Sequence, residues 1–237
     1  MPPAVKLFLA ANIAVFLAWR LAAVYPGVER FMALDFLTSP RHLAAGRYWT
    51  LLTSVFSHAE LWHLVFNMVV LVSFGRILEL LMGTRRFVAF YLTAGIVASL
   101  GHCAVSAWLL HRPDTMALGA SGALSAVLVV FALAFPRERI LIFGIVPIPA
   151  WVGALAFAGL DLWGLSAQAH GGGLPIGHGA HLAGAAFGLV AWFAGLRDTF
   201  RRPEPPSSAP HRWAGGFPPP PYRTVPGREN GNGSGLR

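Results

Sequence analysis

The stretch LWHLVFNMVVLVSFGRILELLM, Leu61 to Met82, decides the fold. A helix needs about 20 mostly apolar residues to cross a bilayer core of about 30 Å. This stretch has that length, and its charges, Arg76 and Glu79, sit near one end. Open strands leave backbone groups unpaired in lipid, so the stretch is predicted to be a helix. Five further stretches read the same way: Leu7 to Val24, Phe87 to Leu110, Met116 to Phe135, Ile140 to Leu165 and Gly177 to Leu196. The third of the six spans carries no formal charge, and the fifth is interrupted by Pro147 and Pro149. The expectation is an all-α polytopic membrane protein with six transmembrane helices.

Composition agrees with this and excludes other classes. Of 237 residues, 55% are hydrophobic and 12% charged, and the mean hydropathy is +0.58. A soluble domain carries about 25% charged residues. The single cysteine, Cys103, excludes an intramolecular disulfide framework and a cysteine-rich metal site. The net charge of +8 is scattered in short segments between apolar blocks, so it reads as membrane topology, not nucleic-acid binding. The first span lacks a small-residue cleavage site and reads as a retained span.

The connection from Pro26 to Glu60 is long and apolar, and is expected to lie in the membrane interface. From Asp198 onward the chain holds nine of the 18 prolines and reads as a disordered Pro/Gly-rich tail. The expected organisation is therefore a six-span domain over 1–197 and a cytoplasmic tail over 198–237. One face of the membrane collects Lys6, Arg85, Arg86, Arg137, Arg139, Arg197, Arg201 and Arg202. The other collects Arg30, Arg41, Arg47 and Arg112. The positive-inside rule then places both termini in the cytoplasm.

Polar groups inside spans are costly and mark function by default. Here they open the even-numbered spans: His63 and Asn67 in the second, Gly119-Ala120-Ser121-Gly122 in the fourth, and Gly177 to His181 in the sixth. Helices two, four and six run in the same direction, so these groups share one depth on the extracytoplasmic side. Serine is a weak nucleophile until a base takes its proton, and His181 is the candidate base for Ser121. The start of a helix favours a developing anion at Ser121. Gly119 and Gly122 allow close approach of backbone or substrate. His63 and Asn67, at i and i+4, share a helix face and could donate to an oxyanion. Ala180, Gly184 and Gly188 form a small-residue stripe that would bring the sixth span, and His181, against its neighbour. Taken singly, each group also has a plain structural reading. His58 and His178 read as loop or interface residues, Asp161 as a structural partner for a nearby donor, and Glu79 as a partner for Arg76, Arg85 or Arg86.

Together these stretches resemble the rhomboid family of intramembrane serine proteases. His58-Ala-Glu-Leu-Trp-His63-Leu-Val-Phe-Asn67, continuing to Gly75 and Glu79, is similar to the family's second-span signature. Gly119-Ala120-Ser121-Gly122 resembles its nucleophile motif, and Gly179-Ala180-His181-Leu182-Ala183-Gly184 the span carrying its base. The resemblance covers about residues 5 to 197. It implies a rhomboid-like bundle with a water-accessible cavity on the extracytoplasmic side. It implies peptide-bond hydrolysis by a Ser121–His181 dyad, without a third carboxylate. The Ser121 backbone N–H, His63 and Asn67 would hold the oxyanion. The substrates would be transmembrane proteins cut in or near their spans, and no metal or organic cofactor would be needed.

Two positions depart from the family's pattern. Trp49 is followed by Thr50 where many members carry Arg, so loop bracing is expected to differ. Ser125 stands where many members stack an aromatic ring on the histidine, so the ring is expected to be held less firmly.

The rival readings are an inactive relative that binds membrane-protein clients, and a transporter or channel. The inactive relative is disfavoured by the presence of both Ser121 and His181. The transporter leaves the convergence at one depth unexplained. There is no His-Glu-x-x-His for zinc and no pair of intramembrane aspartates. With no evident transit peptide and short soluble parts, a bacterial plasma membrane is the expected location. Substrate identity and oligomeric state are not readable from the chain.

Overall fold

The computed structural model describes residues 1–142 and 145–200. Helix α1 runs Pro3–Ala22. The first loop folds into α2 (Pro26–Asp35), α3 (Pro40–Ala44) and α4 (Thr50–Thr53). Helices α5 (Leu61–Val70) and α6 (Arg76–Met82) join through a π-helical turn at Leu71–Gly75 into one continuous span, Leu61–Met82. Helix α7 (Thr84–Ala104) continues through a second π turn to Leu109. Then come α8 (Ser121–Ala134), the strands β1 (Arg139–Ile142) and β2 (Val146–Pro149), α9 (Ala150–Ala169) and α10 (His178–Phe193). Among the described residues four helices, Pro3–Ala22, Leu61–Met82, Thr84–Leu109 and Ala150–Ala169, are long and apolar enough to cross a membrane, and the shorter α8 and α10 stand where the other two spans are expected, so this is a multi-pass membrane bundle. Large side chains such as Leu17, Trp62, Leu155, Trp163 and Val190 are exposed on its outside, as lipid-facing positions are.

Two expected spans begin well inside their expected bounds. The fourth begins at Ser121, not Met116, and has only 14 residues. At 1.5 Å per residue it covers about 21 Å, short of a bilayer core of about 30 Å. The chain just before Ser121 is therefore non-helical at the depth of the bundle, which lipid forbids unless protein satisfies its backbone. The first loop does so. Thr38 and Ala117 exchange both backbone bonds, at 3.0 and 2.8 Å, and Gly119 N–H donates to the Ser54 carbonyl at 2.9 Å. The fifth span begins at Ala150, not Ile140. Strands β1 and β2 pair antiparallel, with Ile140 facing Ile148 and Leu141 facing Pro147. Pro147 and Pro149 lack N–H donors and end any helix through this stretch. Pro149 directly precedes α9, which runs on to Ala169.

Helix α10 lies between α7 and α8, and small residues make the approach possible. A Cβ on Gly101 of α7 would lie 2.1 Å from the Ala183 Cβ. A Cβ on Gly188 would lie 2.7 Å from the Ala126 carbonyl oxygen. Around this seam Phe8 stacks on Tyr91 at 4.6 Å, and Val5, Leu71, Leu78, Phe87 and Val127 are fully buried.

Among the described residues Glu79 is not paired with an arginine. Its carboxylate accepts from the backbone N–H groups of Ala4 at 2.9 Å and Val5 at 2.8 Å, and from the Thr84 hydroxyl at 2.9 Å. It thereby caps the first turn of α1, where backbone donors have no intrahelical partner. Replacing Glu79 by Ala strands these donors, at about 1–3 kcal/mol for each buried group left unmade. The expected result is a clear fall in Tm in detergent, while Glu79→Gln, which keeps one acceptor oxygen, falls less.

The first loop is braced by Asp35 and by Thr50, whose buried hydroxyl donates to the Arg47 carbonyl at 2.7 Å. The Asp35 carboxylate accepts from Arg47 at 3.3 Å and from Trp49 Nε1 at 2.9 Å, and its carbonyl accepts from the Thr53 hydroxyl. Arg41 forms a two-point pair with Asp114, tying α3 to the chain that leads into α8. The order of the bundle continues past 197, where Leu196–Phe200 form a 3-10 turn. The rest of the expected tail lies outside the described residues.

Candidate active site

Ser121 is the first residue of α8, and the cavity beneath the first loop, about 1170 Å³, opens over it. His63, Asn67, Ser121, Phe157 and His181 all line this cavity. At the helix start the leading N–H groups point outward without intrahelical acceptors and carry the positive end of the dipole. The His181 ring, one turn into α10, meets the serine: Nε2 and the Ser121 Oγ are 2.8 Å apart. The two residues, sixty positions apart in sequence, come together because α10 packs against α8 without intervening side chains. A Cβ on Gly184 would lie 1.9 Å from the Gly122 carbonyl oxygen, and one on Gly122 would lie 2.4 Å from the Ala98 Cβ. Only glycine fits at either position.

The turn before the serine is shaped around His63. Gly119 has φ +115, a conformation that side chains avoid, and a Cβ there would lie 2.6 Å from His63 Cε1. The imidazole therefore sits directly on the backbone that leads into Ser121.

Asn67 is placed differently from expectation. Its Nδ2 donates to the His63 carbonyl at 2.9 Å and to His58 Nε2 at 2.9 Å. An amide has two N–H donors, so both are used inside the wall. His58, expected in a loop or at the interface, is fully buried, and its Nε2 also accepts from the Ala120 N–H at 3.4 Å. It ties the loop before α5 to the turn before α8. Burial, with nearby His63, pushes the His58 pKa from 6.5 down to about 3, so the ring is neutral and stays an acceptor.

The linkage has a definite sign. The unfolded chain takes up this proton near pH 6.5 and the folded one only near 3. The stability that neutral His58 lends is full above pH 6.5 and is lost as pH falls towards 3. Denaturation in detergent at pH 7 and pH 4.5 should show a loss on the order of a few kcal/mol. His58→Gln should flatten that loss.

The His181 ring is held from α9. Phe157 stacks on the His181 ring, with centroids 5.4 Å apart and planes at 30°. The Ser125 hydroxyl instead donates back to the Ser121 carbonyl at 2.8 Å. The aromatic support expected to be missing at position 125 is thus supplied by another helix. Asp161 accepts from His181 Nδ1 at 2.9 Å and from His178 Nδ1 at 2.7 Å. His178, expected at a loop or interface, is buried in this cluster. Sequence reading missed His178, Phe157 and the partner of Asp161. One signal was present: a lone acid in an apolar span needs a donor, and His178 and His181 share a face at i and i+3. By position, Asp161, His178 and His181 could together also reach a metal ion.

The family model described as Rhomboid domain matches residues 45–198. Rhomboid protein 1, mitochondrial, of Saccharomyces cerevisiae is 36% identical over 194 residues, covering 78% of this chain and 51% of that protein. RHOMBOID-like protein 12, mitochondrial, of Arabidopsis thaliana is 29% identical over 203 residues, with 81% and 58% covered. Presenilin-associated rhomboid-like protein, mitochondrial, of Homo sapiens is 32% identical over 188 residues, with 78% and 46% covered. The chain spans about half the length of the curated relatives it matches.

Proposed function

Because this chain belongs to the rhomboid family, we propose that it is an intramembrane serine endopeptidase working through Ser121 and His181. The observation that carries the reading is the 2.8 Å contact between Ser121 Oγ and His181 Nε2 at the start of α8. As Oγ attacks the scissile carbonyl, its proton passes to Nε2. The carbonyl oxygen takes up the negative charge beside the N–H groups that open α8, with His63 as the second donor. His181 then returns the proton to the leaving amine as the C–N bond breaks, and a water repeats the sequence to release the acyl group. Asn67 serves first by holding His58 and the His63 carbonyl. It reaches the oxyanion only when its bond to His58 opens. Gly119, Gly122 and Gly184 provide the close packing on which the pair depends.

The substrates are transmembrane proteins, entering the cavity from the bilayer that surrounds the bundle. The Lys and Arg asymmetry supports an orientation with both termini, and the tail from 198, on the cytoplasmic side. The relatives are mitochondrial by name, against the bacterial plasma membrane read from the sequence.

The test is co-reconstitution with single-span reporter proteins in liposomes. Wild type should cut a reporter in or near its span, and Ser121→Ala should not. Reporters that bind the folded wild type and stay intact would instead identify a client-binding protein.

A further inference from the structure

Phe157, Asp161 and Gly164 follow one another at i, i+4 and i+7 on one face of α9, and all three address the two histidines of α10. Phe157 stacks on His181. Asp161, 4% exposed, places one oxygen, Oδ1, against both Nδ1 atoms, at 2.7 and 2.9 Å. Gly164 leaves the seat for His178, since a Cβ there would lie 2.2 Å from His178 Nε2.

A carboxylate accepts hydrogen bonds and has none to give, so both Nδ1 atoms carry their protons. The tautomer of His181 follows: its Nε2 holds a lone pair and accepts from the Ser121 hydroxyl at 2.8 Å. That is the state a general base must be in before the reaction. A buried carboxylate is costly unless several donors hold it, and an apolar side chain would pack this seam more cheaply. The arrangement therefore points to a task beyond packing.

We propose that Asp161 is a positioning residue that makes Ser121–His181 a three-membered Ser-His-Asp unit, with His178 anchoring the same carboxylate oxygen. The inference rests on the protease reading above. When the Ser121 proton reaches His181 Nε2, the ring becomes an imidazolium, and its Nδ1–H bond to Asp161 becomes charge-assisted. Asp161 remains ionised throughout, and no proton moves onto it.

The test compares wild type, Asp161→Asn and Asp161→Glu for reporter cleavage, labelling by a serine-reactive fluorophosphonate, and Tm in detergent. Asp161→Asn should lower kcat and the labelling rate by roughly 10²-fold or more, with KM within about threefold. Asp161→Glu should recover part of both. Purely structural support would move Tm and KM together with kcat, and that pattern overturns the proposal. So does labelling of Asp161→Asn at the wild-type rate. Wild type that itself fails to label would sink the protease reading instead.

A second measurement needs no variant to fold. Nitrogen-15 histidine spectra of the wild type should show His181 protonated at Nδ1 and bare at Nε2. The opposite tautomer overturns the proposal. Chelation that abolishes wild-type activity, restored by zinc, would also overturn it, by assigning the three residues to a metal.

Discussion

Ser121→Ala and His181→Ala are each expected to lower reporter cleavage by roughly 10⁴-fold or more. In the proposed mechanism Ser121 and His181 act as a unit, so removing either removes the step that both perform. The double variant should therefore be no slower than the slower single one, where independent residues would multiply. Stability should hardly change in Ser121→Ala, whereas His181→Ala takes one of two donors from buried Asp161 and should lower Tm. Ser121 lies at a helix start facing a cavity, and its removal leaves His181 still tied to Asp161 and stacked on Phe157. Cleavage, far-UV circular dichroism and Tm on the same preparations separate lost chemistry from lost folding.

Gly184→Ala is the second large effect, and it acts through packing. The added methyl would lie 1.9 Å from the carbonyl oxygen of Gly122, next in sequence to Ser121. That contact is with backbone, so no rotamer change relieves it and α10 must move away from α8. A displacement of about 1 Å at a reacting pair costs on the order of 10²-fold in rate. Overpacking of this kind costs about 1–3 kcal/mol of stability. Both losses should appear together in kcat and Tm. Gly159→Ala, where a Cβ meets nothing within 4 Å, should leave both nearly unchanged and serves as the control.

The bundle was legible in the sequence because apolar length and polar residues inside spans are strong signals. The span Leu61–Met82 has the bounds that hydropathy alone assigns. The late start of α8 was not legible, because Met116, Ala117 and Leu118 are as apolar as the helix that follows. What stops the helix there is pairing with Thr38, almost eighty residues away. The pairing of β1 with β2 was hidden for a similar reason: their isoleucines and leucine raise hydropathy without specifying a period.

At the candidate site, the approach of Ser121 and His181 followed from two parallel helices and a small-residue stripe. The wall behind them did not. That Asn67 turns to His58, and that Phe157 replaces the ring absent at Ser125, depends on which faces of α5 and α9 turn inward. Hydropathy does not carry that information in spans this uniformly apolar.

The protease reading stands or falls on an activated serine at position 121. Labelling of the detergent-purified chain by a fluorophosphonate probe, with the modified peptide mapped by mass spectrometry, reads that serine out. One adduct is expected on Ser121 Oγ, absent from Ser121→Ala and His181→Ala. An unlabelled but folded wild type, or an adduct that persists when His181 is removed, would contradict that reading.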